Sequence, residues 1–388
     1  MYWRDAQAPQ FFNHPVEHQT GTAARTALQL ASTKVRRLAE SHPGYFPLFT
    51  TNGKWWHGKE AWTNWCEGFL GGQMWIFAEH GIGDDWVRRA TQYTELVEGR
   101  QHDREVHDLG FVLSPTHKKK WELHGDKAAR EVALQGGRTL ALRFNEKGSF
   151  LRSFLAEDSL FIDIMMNVGL IFWTAQQSGD ESLLRVARDH SETTRRFLVR
   201  GDGSASHEGI FDLETGEFLR QTTQQGWRND SAWARGLAWS LYGFTTIHGL
   251  DPNPHWLSTA QANAEYWIEA TSGTDLVPPN DFDEPNPVRR WESSAAAAAA
   301  GGLLQLARLV PGEADSLRYH EHAEATFLRL CDPEFLAFEE TWEGVLKHGS
   351  YHETKDLGVD ESVMWGDYFF VELAHEISRT PLNEGVRK

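Results

Sequence analysis

Helical periodicity dominates the chain. In ARTALQLASTKVRRLAES the apolar positions Leu28, Ala31, Val35 and Leu38 fall at steps of three and four, which makes one stripe on a helix. The pattern returns between short punctuating segments: HGIGDDW (80–86), HGDKAA (124–129), SGDESL (178–183), HGLDPN (248–253) and PGEADS (311–316). Each sets a Gly suited to ending a helix just before an Asp or Glu suited to starting the next, which predicts the turns of helical hairpins. The turns are unevenly spaced. A solenoid of identical units would hold its period, whereas insertions of varying length suit a closed ring with loops at one mouth. The predicted fold is all-α, an (α/α)6 barrel or toroid of six helical hairpins. It forms a single domain over residues 1–388, with 1–22 as an N-terminal extension and 376–388 as a C-terminal tail.

Within this frame SSAAAAAAGGLLQLARLV (293–310) predicts an inner helix, starting near Ser293 or Ser294, whose small residues let neighbours approach closely. Three longer irregular segments, 201–227, 271–294 and 343–370, are rich enough in aromatic residues to predict ordered, functional loops. The first alternates briefly at Ile210, Asp212 and Leu213 before ETGE, as a small β-hairpin does.

Charge narrows the partners. With 55 acidic against 38 basic residues the formal net charge is −17, which argues against nucleic acid or an anionic membrane surface. A small acidic substrate stays compatible, because a few Arg and His residues in a cleft outweigh the overall field. Cys66 and Cys331 are the only cysteines, so no disulfide framework is expected. The N-terminal stretch has no apolar h-region and no run of about 18 apolar residues occurs, which predicts a cytoplasmic protein. The 17 tryptophans add a hint of carbohydrate, since indoles stack on the apolar faces of sugar rings.

Two carboxylates sit in unusual company. Asp163, in SLFIDIMMNV, reads as lying inside an apolar helical run rather than ahead of it. It is either a buried Asp satisfied by an Arg or a backbone group, or an acid whose apolar neighbours disfavour ionisation. Asp108, in REVHDLGFVLSP, precedes an apolar helix start and reads equally as an N-cap or as a functional group. Paired carboxyls suit glycosidic chemistry, and the spacing of these two corresponds to one hairpin plus a connection. A third cluster, TQQGWRNDSAWARGLAWSLYGF (223–244), predicts a helix from about Asp230 with Arg235 and Trp239 on one face and Gln225 and Trp227 just upstream. Guanidinium, amide and indole together suit a sugar carboxylate, and equally a core ion pair. His107 and His207 are each ambiguous alone. No H-E-x-x-H, paired C-x-x-C, G-x-G-x-x-G, P-loop or G-x-S-x-G occurs, which leaves metal, nucleotide and esterase readings without support.

The blocks WCEGFLGGQMW (65–75), HDLGF (107–111), FIDIMMN (161–167), TQQGWRNDSAWARGLAW (223–239), DFDEP followed by SSAAAAAAGGLLQLA, and GVDESVMWGDYFFVELA (358–374) resemble, in order, those of the unsaturated glucuronyl hydrolases, family 88 of the glycoside hydrolases. The resemblance covers roughly residues 45–375. It implies an (α/α)6 barrel without a metal or organic cofactor that removes the 4,5-unsaturated uronic acid left by polysaccharide lyases at the non-reducing end of oligosaccharides. It further implies that an acid protonates C4 of the enol ether and water adds at C5. By the same resemblance Asp163 is the general acid/base and Asp108 the second essential carboxylate, which holds the sugar hydroxyls. Trp65, His107, His207, Gln225, Arg235 and Trp239 then bind substrate.

Two departures stand out. Family members often carry a Trp just before the acid's helix, where KGSFLRSFLAED (147–158) offers Phe150 or Phe154. The last loop, HGSYHETKDLG, lacks a clear Ser/Lys-rich pattern of sulfate-tolerant members, which points to unsulfated substrates. The alternatives are an unsaturated rhamnogalacturonyl hydrolase, a sugar epimerase on the same toroid, which needs paired His bases on inner helices, and a non-enzymatic sugar-binding toroid.

Overall fold

Left-handed glycines and acidic caps end and restart helices at two of the five punctuating segments as the sequence predicts. Gly125 and Gly179 adopt φ of 66° and 70° at helix C-termini. Asp126 then accepts from Ala129 N, and Asp180 from Ser182 N and Leu183 N, satisfying amides that a helix start leaves orphaned. At 80–86 Gly81 and Gly83 turn the chain, while Asp85 makes no cap bond and pairs with Arg36 and Arg89 instead. The last two segments differ from expectation. Gly249 lies inside a helix and Asn253, not Asp251, caps the next one, while Gly312 is itself the N-cap residue, with no side-chain bond.

The structure is a computed structural model describing residues 16–58, 64–273, 275–287 and 291–379. Its helices are α1 (Val16–Ser41), α2 (Glu67–Glu79), α3 (Trp86–Leu96), α4 (Leu109–Leu113), α5 (Lys119–His124), α6 (Lys127–Ala141), α7 (Ile164–Asn167), α8 (Gly169–Ser178), α9 (Glu181–Phe197), α10 (Ala234–Leu250), α11 (Pro254–Ser272), α12 (Ser293–Ala307), α13 (Glu313–Leu330) and α14 (Met364–Arg379). A π-helical stretch, Ser114–Lys118, joins α4 to α5. α1 therefore begins inside the segment expected as an N-terminal extension, and α14 reaches into the expected tail; residues 1–15 and 380–388 lie outside the described residues.

The helices close into two concentric rings. Around the inside, α2 packs on α4 and the π stretch, these on α7 and α8, then α10, α12 and α14, which returns to α2. α3, α6, α9, α11, α13 and α1 pack outside them. The predicted (α/α)6 barrel is the fold. Its connections are sorted by length: the short punctuating turns lead from inner to outer helices, whereas every outer-to-inner connection is long. All the long loops, and the N-termini of all the inner helices, thus meet at one mouth. The alanines 295–300 of α12 are fully buried, and Gly302 leaves so little room that an added Cβ would lie 3.1 Å from Cα of Tyr242 on α10.

Sheet structure is confined to the loops. Glu208–Phe211 and Phe218–Thr222 form the hairpin predicted near residue 210, and Ser159–Phe161 adds a third antiparallel strand in the register Ser159↔Ile210, Phe161↔Glu208. A second hairpin pairs Gly349–His352 with Leu357–Glu361. The run 159–168 is thus not one helix. An apolar run this short fits a buried strand as well as a helix, and the partner at 208–211 decides between them.

α4 meets α7 at Gly110, where an added Cβ would lie 2.5 Å from Cα of Asn167. Gly110→Ala is expected to lower unfolding free energy by about 1–3 kcal/mol in denaturant titrations. A variant as stable as the parent would show that the two helices separate without cost.

Candidate active site

A cleft of about 780 Å³, counting the open solvent at its entrance, occupies the mouth of the toroid. Aromatic rings form much of its lining. Trp65 packs on Trp365 at 4.8 Å and donates from Nε1 to the Tyr351 hydroxyl at 3.3 Å. Phe111 packs on Trp65 and Trp239 at 5.4 and 5.5 Å. Among the expected residues Trp65, His107, Asp108, Asp163, Gln225, Arg235 and Trp239 all line the cleft; His207 stands buried behind Asp163. Trp227 is 42% exposed and lies outside the cleft, so it adds no indole to the Arg235 cluster. Phe150 is buried against Phe211 at 4.4 Å, which leaves Phe154 as the aromatic residue of its loop that faces the cleft.

Asp163 owes its place to the three-stranded sheet. Ile162 N donates to His207 O at 2.9 Å, the last bond of the strand pairing, and the chain then turns into α7 with Asp163 as the residue before its first turn. Its side chain makes no cap bond and reaches the cleft, while Ile162, Ile164 and Met165 are buried in the core. Of the apolar residues in its run, Phe161 lines the same cleft as the carboxyl, whereas Ile162, Ile164 and Met165 turn into the core. What faces Asp163 is His207, with Nε2 at 3.8 Å from Oδ2. Gln224 N donates to His207 Nδ1 at 3.1 Å, which puts the imidazole proton on Nε2, toward the carboxyl.

Asp108 repeats the arrangement. It occupies the N-cap position of α4 without a side-chain cap bond, so its carboxyl is not used to start the helix. His107 Nε2 lies 3.3 Å from Asp108 Oδ1, and His107 Nδ1 accepts from Phe154 N at 3.0 Å, again placing the proton on Nε2. Burial pushes the His107 pKa down to about 3, so this imidazole stays neutral. Burial, and next the charge of Asp163, hold the Asp108 carboxyl well above the usual carboxylate range.

One side chain joins the two acids. The buried Asn167 accepts from Phe111 N at 2.8 Å through Oδ1 and donates through Nδ2 to Asp163 O at 3.1 Å. It thereby fixes the start of α4 against the start of α7. Nothing in the sequence reading singled it out, although it closes the FIDIMMN block.

Arg235 is held more tightly than a free recognition fork. Its helix begins at Ala234 rather than near Asp230, because Asp281 and Asp283 hold the preceding loop: Asp281 accepts from Trp227 N and Ser231 Oγ, and Asp283 from Ala232 N. Arg235 Nη1 donates to Ser350 O, and Nη2 donates to Gln225 Oε1 at 2.5 Å and Tyr351 O at 2.8 Å. Trp233 and Trp365 lie against its guanidinium at 4.5 and 5.1 Å, and the buried Glu292 is 3.8 Å from Nη1. Nε is buried without a partner. Because Gln225 spends its oxygen on Arg235, its amide N–H groups remain for a ligand. The structure adds Gln224, Tyr351, His352 and Lys355 to the lining, from loops the sequence marked as functional without ranking their residues, and Trp233, which the sequence reading put inside a helix and which precedes its first turn. Among the described residues no group of three or more His, Cys, Asp or Glu side chains is arranged to hold a metal, and no helix is long and apolar enough to cross a membrane.

Comparison with known proteins places this geometry. No family model matches the chain. It is 32% identical over 329 residues to an unsaturated glucuronyl hydrolase of Bacillus sp. (strain GL1), covering 82% of this chain and 87% of the relative. It is 30% identical over 362 residues to an unsaturated chondroitin disaccharide hydrolase of Streptococcus pyogenes serotype M1, covering 89% of each. The crystal structure of the unsaturated glucuronyl hydrolase from Bacillus sp. GL1, described as responsible for glycosaminoglycan degradation, superposes with a TM-score of 0.86 at 29% identity, over 92% of this chain and 97% of that one.

The loop that supplies Tyr351 hangs on a buried acid. Asp367 accepts from Val345 N and Leu346 N, both at 2.8 Å, and burial raises its pKa from 3.8 to about 7. The unfolded chain gives up this proton near pH 4 and the folded one keeps it to about pH 7, so over that interval the folded state binds more protons and stability falls as pH rises. Asp367→Asn removes the group. Denaturant titrations from pH 4.5 to 7.5 are expected to show the stability difference between parent and variant shrinking or reversing in the variant's favour as pH rises. A difference constant with pH would contradict this.

Proposed function

The chain belongs to the unsaturated glucuronyl hydrolases, and on that footing we propose that Asp163 is its general acid and base, with Asp108 holding the sugar hydroxyls. The enzyme releases the 4,5-unsaturated uronic acid from the non-reducing end of lyase-generated oligosaccharides. It does so by hydrating the C4=C5 bond, not by attack at the anomeric carbon. The observation that carries the assignment is a single aromatic cleft into which both carboxyls open, each backed by an imidazole Nε2, at 3.3 Å for Asp108 and 3.8 Å for Asp163.

The steps follow from the groups present. Asp163 gives its proton to C4, and positive charge develops at C5 and the ring oxygen. Water adds to C5 while the Asp163 carboxylate takes up its proton, which restores the acid. The hemiketal opens and the aglycone leaves. Protonating carbon needs a proton on Asp163 as the enol ether arrives. The Asp108 carboxyl, which burial holds well above the usual carboxylate range, suits holding a sugar hydroxyl.

The substrate carboxylate is met by positive potential rather than by a free fork. The desolvated Arg235 supplies charge, Gln225 supplies amide donors, and inner helices of ten residues or more present their N-termini to the mouth. Trp65 and Trp239 give flat apolar surface for the ring. The histidines suit support better than base catalysis of an epimerase. Both Nδ1 lone pairs are occupied by backbone N–H groups, and both Nε2 atoms face carboxyls.

Turnover is followed by loss of the ene-carboxylate absorbance, with unsaturated disaccharides from hyaluronan, chondroitin and rhamnogalacturonan assayed side by side. In oxygen-18 water, with borohydride trapping of the product, the label is expected at C5 of the released keto acid. Label at the anomeric carbon instead would mean ordinary hydrolysis. Asp163→Asn is expected to lower kcat about 10²- to 10⁴-fold while still binding the disaccharide. Turnover at the parental rate would remove Asp163 from the acid's role.

A further inference from the structure

We propose that Glu208 is a positioning residue for this reaction: its buried carboxyl ties together the two mouth segments whose backbone N–H groups orient His107 and His207 toward Asp108 and Asp163. The inference rests on the reading of those two carboxyls as the reacting pair.

Glu208 opens the central strand of the three-stranded sheet and is 1% exposed. No Arg, Lys or His pairs with it among the described residues; its partners are two hydrogen-bond donors, one from each side of the mouth. On one side Oε2 accepts from Gln224 Nε2 at 2.9 Å. On the other Oε1 accepts from Ser159 Oγ at 2.5 Å, Ser159 Oγ accepts from Ser153 Oγ at 2.8 Å, and Ser153 Oγ accepts from Leu155 N at 3.2 Å. Every proton in this chain points toward Glu208, so the carboxyl fixes its direction as well as its length.

Both chains end beside a histidine. Gln224 donates its own backbone N–H to His207 Nδ1, and Phe154, next to Leu155, donates its backbone N–H to His107 Nδ1. Those two bonds put both imidazole protons on Nε2. If either segment shifts, the histidine loses the partner that selects its tautomer. The other tautomer takes the N–H away from the carboxyl, so the carboxyl loses the donor that orients it. Gln224, Phe154 and Leu155 also line the cleft, so the same carboxyl holds part of the wall against which the leaving sugar lies. Proximity effects of this kind are steep: a displacement of about 1 Å costs on the order of 10²-fold in rate.

The test compares three variants on the unsaturated disaccharide that the parent turns over best. Glu208→Ala removes both acceptors. It is expected to lower kcat roughly ten- to a hundred-fold in protein that still unfolds cooperatively above the assay temperature, with KM moving less than about three-fold. Glu208→Gln keeps an acceptor for Ser159, and Gln224 can turn its amide to accept from the new NH2. This variant is expected to stay within about three-fold of the parent. A Glu208→Ala enzyme with parental kcat, or a loss that Glu208→Gln fails to restore, overturns the inference. Should Glu208→Ala not fold, Ser159→Ala decides, since it breaks one arm by removing one hydroxyl. A fall in kcat supports the tie, and an unchanged kcat overturns it. Long-range ¹H–¹⁵N spectra of the histidines, assigned with His107→Gln and His207→Gln, give a readout independent of turnover. Both are expected as Nε2–H tautomers in the parent, with at least one of them lost or mixed in Glu208→Ala, or in Ser159→Ala if that is the variant that folds. If the parent acts on none of the disaccharides, the functional reading fails by itself. The tautomer comparison then decides this inference alone, unchanged signals overturning it.

Discussion

The inner ring depends on backbone-to-backbone contact at glycine. Gly68 of α2 faces the Phe111 and Val112 carbonyls, Gly110 of α4 faces Asn167, Gly243 of α10 faces Met165, Gly302 of α12 faces Tyr242, and Gly366 of α14 faces Ser294. At each of the first three an added Cβ would lie within 2.7 Å of backbone atoms of the neighbouring helix. Helices this close bring their first residues close as well. Because the inner helices all start at the mouth, the side chains just before those starts converge: Trp65 and Cys66 ahead of α2, Asp108 ahead of α4, Asp163 ahead of α7, Glu292 ahead of α12. The arrangement at the mouth is thus a consequence of ring radius, and Asn167, bonded to Phe111 N and Asp163 O, fixes the starts of α4 and α7 to each other.

The same geometry resolves a conflict in the charge. A chain with net charge −17 repels an anion at long range, and an unsaturated uronate is an anion. At short range a buried cation is available. Arg235 sits between two indoles in a site where water does not screen it, and the long inner helices direct their N-termini the same way. Glu292 offsets part of this charge, yet its oxygens are occupied by Ala295 N, Ser294 Oγ and Ser350 N, so much of its charge is neutralised by helix and loop amides. In a cleft that also holds Asp108 and Asp163, the positive charge that a ligand carboxylate can meet is local, at Arg235.

How far the sequence reveals this depends on the length scale of each signal. Hairpin turns are local, and the Gly-Asp pairs at 125–126 and 179–180 could be read from a few residues. Asp163 could be noticed as a misfit for the same reason. What the chain does around it could not, because the strand Ser159–Phe161 exists through a partner nearly fifty residues away at Glu208–Phe211. Without that pairing SLF reads as helix, and the apolar neighbours seem to surround the carboxyl rather than to anchor it. Arg235 shows the converse limit. Its identity and face were legible, but the carbonyls of Ser350 and Tyr351 that immobilise it come from a loop more than a hundred residues on. Asn167 and Glu208 carry no local signature at all: an Asn after two methionines and a Glu in a hairpin look like surface residues until the sheet and the ring bury them.

The surroundings of the two carboxyls differ in depth, and that difference agrees with the roles proposed for them. Asp108 lies deep, between His107 and the start of α4, and burial holds its carboxyl well above the usual carboxylate range. That agrees with a group proposed to hold a hydroxyl and not to shuttle protons. Asp163 keeps slightly more contact with the open cleft, its side chain 14% exposed against 9% for Asp108. The imidazoles differ in the same sense: His107 Nε2 stands 3.3 Å from Asp108 and His207 Nε2 stands 3.8 Å from Asp163, so the carboxyl proposed to move protons is the more loosely held of the two.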